Sequence, residues 1–358
     1  MDASSTSPTS PNSPLPTVER LLELIDRFQG RPVVLLVDLV ADRFLSGTPK
    51  RISREAPVLI LRLDDESTVP GGGANAVANV AALGGRPLPL GVVGDDASGR
   101  ELIHIFETRG ITCDGIWTRS GYRTPTKTRV LGGGRHTIKQ QIVRYDVEDE
   151  WTPSADEVAE LLVRAEAWGD VGAAVMSDYG YGAVRPGMID ALRRVLPEGT
   201  PILGDSRYRL GEYRGLAGAT PNLEEAEQLA GRALDAGSDL VAGGAELLKR
   251  MESEFLLVTR GSSGMTLFEP GAAIHLPVHG TDQVADVTGA GDTVIGTFAL
   301  ALAAGATPLE AACLANYAGG VVVMKMGTAT LSPDELRDAV RSDAALLDKL
   351  VKSRSTRS

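Results

Sequence analysis

Cysteine is scarce in this chain, with only two among 358 residues. Cys113 and Cys313 lie far apart in the sequence and lack the spacing of a metal site. The sequence therefore predicts neither a disulfide framework nor a zinc centre. Free thiols are typical of the reducing cytoplasm, and we expect a cytoplasmic protein.

Long uncharged apolar runs are also missing, so the sequence predicts no transmembrane helix. The first 17 residues are rich in Ser, Thr and Pro, and they lack the basic and apolar segments of a signal peptide. Such a composition cannot support a packed core. We therefore expect residues 1–17 to form a disordered tail.

Cationic residues are outnumbered, because 36 Lys and Arg face 47 Asp and Glu for a net charge of −11. Nucleic acids and anionic membranes bind surfaces that carry a positive field, and no dense run of Lys or Arg occurs before the C-terminal tail. The sequence thus predicts no nucleic acid and no membrane as a partner. A small phosphorylated substrate stays compatible with this charge, since one pocket can be basic on an acidic protein.

Hydrophobic residues, in contrast, make up 43% of the chain, although only 4% are aromatic. A chain of this length and composition can bury a substantial core, as one large domain or two ordinary ones. Short apolar segments alternate with helical patterns, as at 88–96 and 99–109. This alternation predicts an α/β fold.

A buried strand pattern at 32–37 is followed directly by Asp38 and then by Asp42. Ligands of open α/β sheets bind at the carboxyl ends of the strands. A carboxylate suits a sugar because it accepts hydrogen bonds from adjacent hydroxyl groups. Asp42 is therefore either a ligand-binding residue or a solvated acid in a turn.

Gly289, Ala290 and Gly291 precede Asp292 at the start of an apolar helix pattern. Bare backbone at a helix start presents N–H donors and the positive end of the helix dipole to an anion such as a phosphoryl group. Asp292 either caps this helix or accepts a proton from a hydroxyl that attacks the phosphoryl group. The chain has no Gly-x-x-x-x-Gly-Lys-Ser/Thr motif, which excludes a P-loop.

Three further patterns have two interpretations each. Gly72 and Gly73 lead into a helix pattern with Asn75, which forms either a tight loop or a polyol contact. Lys127 and Arg144 flank a predicted hairpin turn at 132–136, either as substrate-phosphate ligands or as solvated edge charges. The pair Asn222 and Glu225 indicates either a capped helix or oxygen groups that position Mg²⁺.

The segment Asp286–Thr293 resembles the C-terminal signature of the ribokinase-like (PfkB) sugar kinases. Segments 70–84, 177–180 and 220–227 resemble other parts of that family in the same order. Segment 51–58 is similar to one found in family members that act on D-glycero-β-D-manno-heptose 7-phosphate. Together these likenesses extend over nearly the whole chain.

The resemblance implies a three-layer α/β/α sandwich with a mostly parallel central sheet and a small β-sheet lid. Residues 18–345 would form the kinase domain, and residues 346–358 a frayed tail. The lid strands are expected at roughly 47–63 and 126–145. Relatives commonly dimerise through this lid, so we expect a homodimer.

The resemblance also implies ATP and Mg²⁺ as cofactors, with K⁺ as a further candidate, and it assigns roles to individual residues. Asp292 would be the catalytic base, beside an anion hole formed by Gly289, Ala290 and Gly291. The expected substrate contacts are Asp42, Gly72, Gly73, Asn75, Lys127 and Arg144. The expected ATP contacts are Asn222, Glu225, Thr259, Arg260, Gly261, Gly264 and Asn316. Mg²⁺ would be held through water by Asn222 and Glu225, and a monovalent cation by Asp286 and Thr288.

The function expected from the resemblance is ATP-dependent phosphorylation of D-glycero-β-D-manno-heptose 7-phosphate at the 1-position. Val37, Tyr181 and the segment 205–207 depart from the pattern of the heptose kinases; at Tyr181, for example, a lysine is expected. One alternative is a ribokinase-like kinase for another sugar or a nucleoside. A second alternative is a catalytically silent sugar-binding or regulatory module that keeps the fold.

Overall fold

The computed structural model describes residues 15–134, 139–166, 168–234, 237–280 and 285–355. The strands in chain order are β1 (Pro32–Val37), β2 (Leu39–Ile52), β3 (Leu59–Gly72), β4 (Arg86–Gly94), β5 (Ile116–Arg119), β6 (Thr126–Gly132), β7 (Gln140–Val147), β8 (Ala173–Asp178), β9 (Ile202–Ser206), β10 (Gly218–Ala219), β11 (Phe255–Thr259), β12 (Met265–Glu269) and β13 (Ala272–Leu276). The helices are α1 (Val18–Asp26), α2 (Gly73–Ala82), α3 (Ala97–Thr108), α4 (Ala155–Glu166), α5 (Met188–Val195), α6 (Leu223–Ala230), α7 (Ser238–Met251), α8 (Ala290–Ala303), α9 (Pro308–Val322), α10 (Pro333–Ser342) and α11 (Ala345–Ser355).

The central sheet has the strand order β13-β12-β11-β10-β9-β8-β1-β4-β5. Pairing is parallel from β11 to β5 and antiparallel from β11 to β13. The carboxyl ends of the parallel strands therefore share one edge of the sheet, where ligands of such folds bind.

Alternation along β1 shows why the molecule has three layers. Val33, Leu35 and Val37 face one hydrophobic cluster, which includes side chains of α1, α2, α8 and α9. Val34 and Leu36 face a second cluster, which includes side chains of α5 and α7. Because all five side chains are fully buried, both faces of the sheet are covered by helices, as expected for a parallel sheet.

A separate four-stranded sheet, in the order β3-β2-β6-β7, forms the lid. Its first two strands are longer than predicted: they span 39–52 and 59–72 rather than 47–63. The prediction missed 39–46 because Leu39 to Asp42 are buried in succession, without the alternation that marks a half-exposed strand. The predicted segment 126–145 contains β6 and most of β7, and residues 135–138 of its turn lie outside the described residues.

The C-terminal boundary also differs from the prediction of a frayed tail at 346–358. Helix α11 covers most of that segment, and its Leu346 and Leu350 are buried in the main core. Leucines spaced four residues apart lie on one helical face, so packing holds this segment in place. Residues 356–358 lie outside the described part, as do residues 1–14 of the predicted N-terminal tail.

The N-terminal boundary of the domain is set by a helix cap. The side chain of Thr17 accepts a hydrogen bond from the backbone N–H of Arg20 at 3.2 Å, which starts α1 at residue 18. In the part of the chain that the structure describes, no helix combines the length and apolar character needed to cross a bilayer.

Candidate active site

The start of α8 presents bare backbone at the edge of a cleft. Gly289 is its N-cap and has a φ of 77°. A Cβ on Gly289 would lie 2.4 Å from Nδ2 of Asn75, so the position requires glycine for both its conformation and its close contact. A Cβ on Gly291 would meet open space, which leaves the N–H groups of the first turn accessible to a ligand.

Asp292 occupies the third position of α8 and is buried, with 3% of its surface exposed. The hydroxyl of Tyr179 donates to Oδ1 at 2.7 Å, and Nδ2 of Asn75 donates to Oδ2 at 3.3 Å. Burial raises the pKa of Asp292 to about 7, and the two hydrogen bonds oppose this rise. A carboxyl group with a pKa near neutrality is suited to accept a proton from an alcohol.

Two cavities meet beside this helix start. The larger has a volume of about 660 Å³ and the smaller about 440 Å³. Thr259, Val287 and Gly291 line both cavities. The larger cavity also contains Tyr179, the hydrogen-bond partner of Asp292. The arrangement thus offers one compartment on each side of Gly291.

Asn222 and Glu225 line the larger cavity and also cap α6. Oδ1 of Asn222 accepts from the backbone N–H of Glu225, and the Glu225 carboxylate accepts from the backbone N–H of Asn222, both at 2.9 Å. This is the capped-helix interpretation of the motif. Since each side chain retains acceptor capacity towards the cavity, capping and ligand binding are compatible.

Asp42 and Lys127 lie side by side in the lid, paired across β2 and β6. Asp42 is buried and forms an ion pair with Arg129, with 2.7 Å between its Oδ1 and Nη1. A Cβ on Gly71 would lie 2.5 Å from Oδ2 of Asp42, so the bare backbone makes room for this carboxylate. Burial lowers the pKa of Lys127, while the charge of Asp42 opposes that change.

The two predicted phosphate ligands lie in different surroundings. Lys127 places its Nζ 5.3 Å from the centre of the Tyr179 ring, whose hydroxyl contacts Asp292. Arg144 pairs with Asp146 on its own strand and is about half exposed. The structure therefore brings Lys127 to Tyr179, whereas Arg144 lies on the edge strand β7, opposite Arg129.

The glycine turn after β11 borders the smaller cavity. Its lining includes four of the predicted ATP contacts, namely Thr259, Gly261, Gly264 and Asn316. Arg260 joins the same turn through its backbone N–H, which donates to the Gly264 carbonyl at 2.8 Å. Nδ2 of Asn316 donates to the carbonyl of Pro277 at 2.7 Å, which leaves its Oδ1 as the remaining acceptor.

The loop that precedes α8 is closed by Asp286. Its Oδ1 accepts from the backbone N–H and the hydroxyl of Thr288, and its Oδ2 accepts from the backbone N–H of Gly327 at 3.0 Å. Burial opposes ionisation, but these hydrogen bonds lower the pKa of Asp286. The residues predicted to hold a monovalent cation are thus adjacent, with the carboxylate charged. Residues 281–284, which precede this loop in the sequence, lie outside the described residues.

Sequence reasoning did not assign three residues that the structure places in the cleft. The hydroxyl of Tyr179 donates a hydrogen bond to Asp292. The segment 177–180 resembles the family, but this resemblance does not predict the hydrogen bond. Arg129 forms an ion pair with Asp42. Because residues two apart in a strand lie on the same face, the spacing between Lys127 and Arg129 indicates that both side chains share one face of the lid. Asp205 is half-buried and lines the larger cavity at the end of β9, and burial raises its pKa well above the usual value.

Geometrical neighbours among solved structures share this fold. Phosphofructokinase-2 from Escherichia coli, in complex with substrates and products, superposes with a TM-score of 0.70 at 20% identity, covering 87% of this chain and 99% of that one. Ribokinase from Arabidopsis thaliana, complexed with ribose and ATP, gives a TM-score of 0.66 at 21% identity, covering 89% and 99%. At these identities the likeness concerns the fold alone, and it confirms the predicted ribokinase-like α/β/α sandwich.

Sequence relatives are closer in identity. The bifunctional protein HldE of Mesorhizobium japonicum is 38% identical over 329 residues, and that of Halorhodospira halophila 43% identical over 319. These alignments cover 91% and 87% of this chain but only 65% and 64% of the relatives, so the chain spans less than two thirds of their length. The pattern of the pfkB family carbohydrate kinases matches residues 34–335. That match includes every residue placed in the cleft above, and the chain belongs to the pfkB family of carbohydrate kinases.

Proposed function

We propose that this chain transfers the γ-phosphoryl group of ATP to the 1-hydroxyl of D-glycero-β-D-manno-heptose 7-phosphate. The observation that carries a kinase assignment is the position of Asp292, buried beside a bare helix start where two cavities meet. The choice of acceptor is supported by the identity of 38% and 43% to the two HldE proteins. It is also supported by the likeness of segment 51–58 to heptose-phosphate kinases.

The proposed reaction is an in-line displacement at the γ-phosphorus. Asp292 removes the proton from the sugar hydroxyl as the hydroxyl oxygen attacks, and the bond to the ADP oxygen breaks. The N–H groups of Gly289, Ala290 and Gly291 hold the charge that develops on the transferring phosphoryl group. Positioning the two reactants on either side of Gly291 supplies the orientation that this reaction needs.

The larger cavity provides oxygen groups that fit Mg²⁺. Asn222, Glu225 and Asp205 line it, and no hydrogen bond to the Asp205 carboxylate is found within the described residues. Mg²⁺ prefers oxygen ligands and keeps several water molecules, so these side chains would hold it largely through water. The metal would neutralise charge on the nucleotide phosphates. Asp286 and Thr288 would hold a monovalent cation, and no step of the reaction is assigned to it.

The two substrates would occupy separate compartments. The nucleoside fits the smaller, more apolar cavity, beside Asn316 and the glycine turn at 259–264. The sugar would lie between the lid and the start of α2, against Asp42, Gly72, Gly73 and Asn75. Lys127 would meet the 7-phosphate from the lid, with Arg144 as a second cation on the neighbouring strand.

We also infer that a second copy of the chain covers the outer lid surface. Several large apolar side chains there are 40–59% exposed: Ile52, Val58, Leu59, Leu63, Ile142, Val143 and Tyr145. Exposed apolar side chains grouped on one sheet mark an interaction surface. A homodimer through the lid would bury this surface.

A substrate panel tests the proposed function. ATP consumption and the phosphorylated product would be measured with D-glycero-β-D-manno-heptose 7-phosphate, the same heptose without phosphate, fructose 6-phosphate and ribose. The proposal expects the highest kcat/KM for the heptose 7-phosphate and a product with a second phosphate at the 1-position. A higher kcat/KM for another sugar would assign a different acceptor, and no turnover with any sugar would indicate a silent module.

A further inference from the structure

Tyr179 connects the central sheet to the proposed base. It follows β8 directly, and its hydroxyl donates to Oδ1 of Asp292 at 2.7 Å. These two residues are separated by 113 positions in the sequence. When the Asp292 carboxyl group is ionised, this is a hydrogen bond to a charged acceptor, the stronger class of hydrogen bond.

The backbone that carries Tyr179 is fixed by a buried carboxylate. Oδ2 of Asp38 accepts from the backbone N–H groups of Tyr179 at 2.8 Å and Tyr181 at 3.0 Å, and Oδ1 accepts from that of Ala183 at 3.0 Å. Three hydrogen bonds to a buried carboxylate hold the loop after β8 in one conformation. The position of the Tyr179 ring is therefore set by the sheet rather than by solvent.

The ring of Tyr179 is also enclosed by its neighbours. Gly72 has a φ of 50°, which favours glycine, and a Cβ there would come within 3.3 Å of the ring, a tight contact. Nζ of Lys127 lies 5.3 Å from the ring centre on the lid side. Because the ring has little freedom to move, its hydroxyl stays directed at Asp292.

The two oxygens of the Asp292 carboxylate consequently have unequal surroundings. Oδ1 accepts a 2.7 Å hydrogen bond from Tyr179, whereas among the described residues Oδ2 accepts only the 3.3 Å hydrogen bond from Asn75. Burial raises the pKa of Tyr179 well above its usual value, so its hydroxyl keeps its proton and acts as a donor. Oδ2 is the oxygen left with basic lone pairs for a substrate.

We propose that Tyr179 is a positioning residue that occupies Oδ1 of Asp292 and thereby directs the proton of the sugar hydroxyl to Oδ2. The inference rests on the proposed kinase function and deepens it. In the step, the hydroxyl O–H bond breaks and its proton moves to Oδ2, while the new O–P bond forms and the P–O bond to ADP breaks. Tyr179 remains protonated throughout and keeps the carboxyl group oriented.

Replacing Tyr179 by Phe removes the hydroxyl and leaves the ring. A donor to a carboxylate stabilises its charged form, so its loss makes Asp292 harder to deprotonate. The expected result is that the acidic limb of kcat moves to higher pH by about one unit, with kcat reduced about fivefold at pH 7 and about tenfold at pH 6 and below. KM for ATP is expected to stay unchanged, since no nucleotide contact is removed.

Tyr181→Phe is the matched control, because it removes a hydroxyl from the same loop. The Tyr181 hydroxyl donates to Glu148 at 3.2 Å and has no contact with Asp292. We expect kcat of this variant to fall at acidic pH with the same midpoint as kcat of the wild type. An equal shift in both variants, or no shift in either, would overturn the proposal and indicate that the loop tyrosines only stabilise the fold.

A titration without substrate separates this proposal from the proposed function. The side-chain carboxyl carbons of ¹³C-labelled aspartates would be followed by NMR, with Asp292→Asn used to assign the Asp292 signal. Tyr179→Phe is expected to raise the titration midpoint of Asp292 by about one unit, and Tyr181→Phe to leave it unchanged. Unchanged midpoints in both would reject the role of Tyr179, whatever sugar the protein accepts. Thermal unfolding of each variant would confirm that it is folded.

Discussion

At the scale of single residues, the chemistry depends on how burial and hydrogen bonding compete at Asp292. Removing a carboxylate from water makes ionisation costly, while the donors Tyr179 and Asn75 favour the charged form. Burial is the larger effect, and the pKa of Asp292 rises to about 7. Such a group is basic enough to accept a proton and still largely ionised just above neutrality.

The pH dependence of turnover follows from this balance. Only the ionised carboxylate can take a proton, so kcat is expected to fall about tenfold for each pH unit below the pKa of about 7 and to level off above it. Steady-state rates between pH 5.5 and 8.5, with both substrates saturating, would measure this limb. A flat profile across that range is incompatible with Asp292 as the base.

The sequence singles out Asp292 as a candidate residue but does not indicate its hydrogen bond with Tyr179. The helix start at Gly289 to Gly291 is a local pattern, and local patterns are visible in the chain. The contacts of Tyr179 with Asp292 and of Arg129 with Asp42 join residues 113 and 87 positions apart. Such contacts depend on how the central sheet and the lid sheet pack against each other. The periodicity of hydrophobic residues in the sequence does not encode that packing.

At the scale of elements, four helices among the described residues begin in the same way. A capping box, in which a polar N-cap and a Glu three residues later exchange hydrogen bonds, starts α4 with Ser154, α6 with Asn222, α9 with Thr307 and α10 with Ser332. The box at Asn222 alone among these lines the larger cavity. The other three therefore show what capping contributes without a ligand.

Parallel substitutions separate the two roles of Asn222. Asn222→Ala and Ser332→Ala are each expected to lower the free energy of unfolding by about 1 kcal/mol, because each removes an N-cap. Asn222→Ala should in addition raise the Mg²⁺ concentration needed for half-maximal turnover, whereas Ser332→Ala should not. Urea denaturation and a Mg²⁺ titration of activity would measure both effects. Equal Mg²⁺ dependence in the two variants would leave Asn222 as a cap only.

The lid strands show where element prediction fails. Residues 39–46 of β2 run from the core into the lid, and their burial pattern changes along the strand from fully buried to intermediate. Neither the alternating pattern of a surface strand nor the short apolar run of a core strand describes such a segment. Within the predicted segment 47–63, residues 47–52 and 59–63 form strands, and residues 53–58 connect them.

At the scale of the whole molecule, parallel topology gathers distant segments at one edge. Asp38 follows β1, Tyr179 follows β8, Asp205 lies in β9 and Thr259 ends β11. These strands are parallel in the sheet, so their carboxyl ends converge on the larger cavity. The strand and helix patterns of the sequence predict the α/β fold class, and they predict that ligands bind at the carboxyl ends of the strands. The C-terminal boundary of the domain could not be predicted in this way, because it depends on the packing of Leu346 and Leu350 against the core, which is a tertiary contact.

The proposed dimer is a whole-molecule prediction. Leu63→Arg places a charge on the exposed apolar lid surface and is expected to convert a dimer into a monomer. Val163→Arg on α4 is the control, since Val163 is 62% exposed and Leu63 57%, but Val163 lies outside the lid. Analytical ultracentrifugation would measure the mass of each. A monomeric wild type, or a dimer that survives Leu63→Arg, argues against the lid interface.

The central claim is that the buried carboxylate of Asp292, next to the helix start where two cavities meet, removes the proton from the sugar hydroxyl. The most direct measurement compares wild type and Asp292→Asn for ATP affinity by calorimetry and for sugar phosphorylation by ³¹P NMR. The account predicts nearly unchanged ATP affinity and a loss of kcat of about 10²- to 10⁴-fold. Turnover within a few fold of the wild type in Asp292→Asn would contradict it.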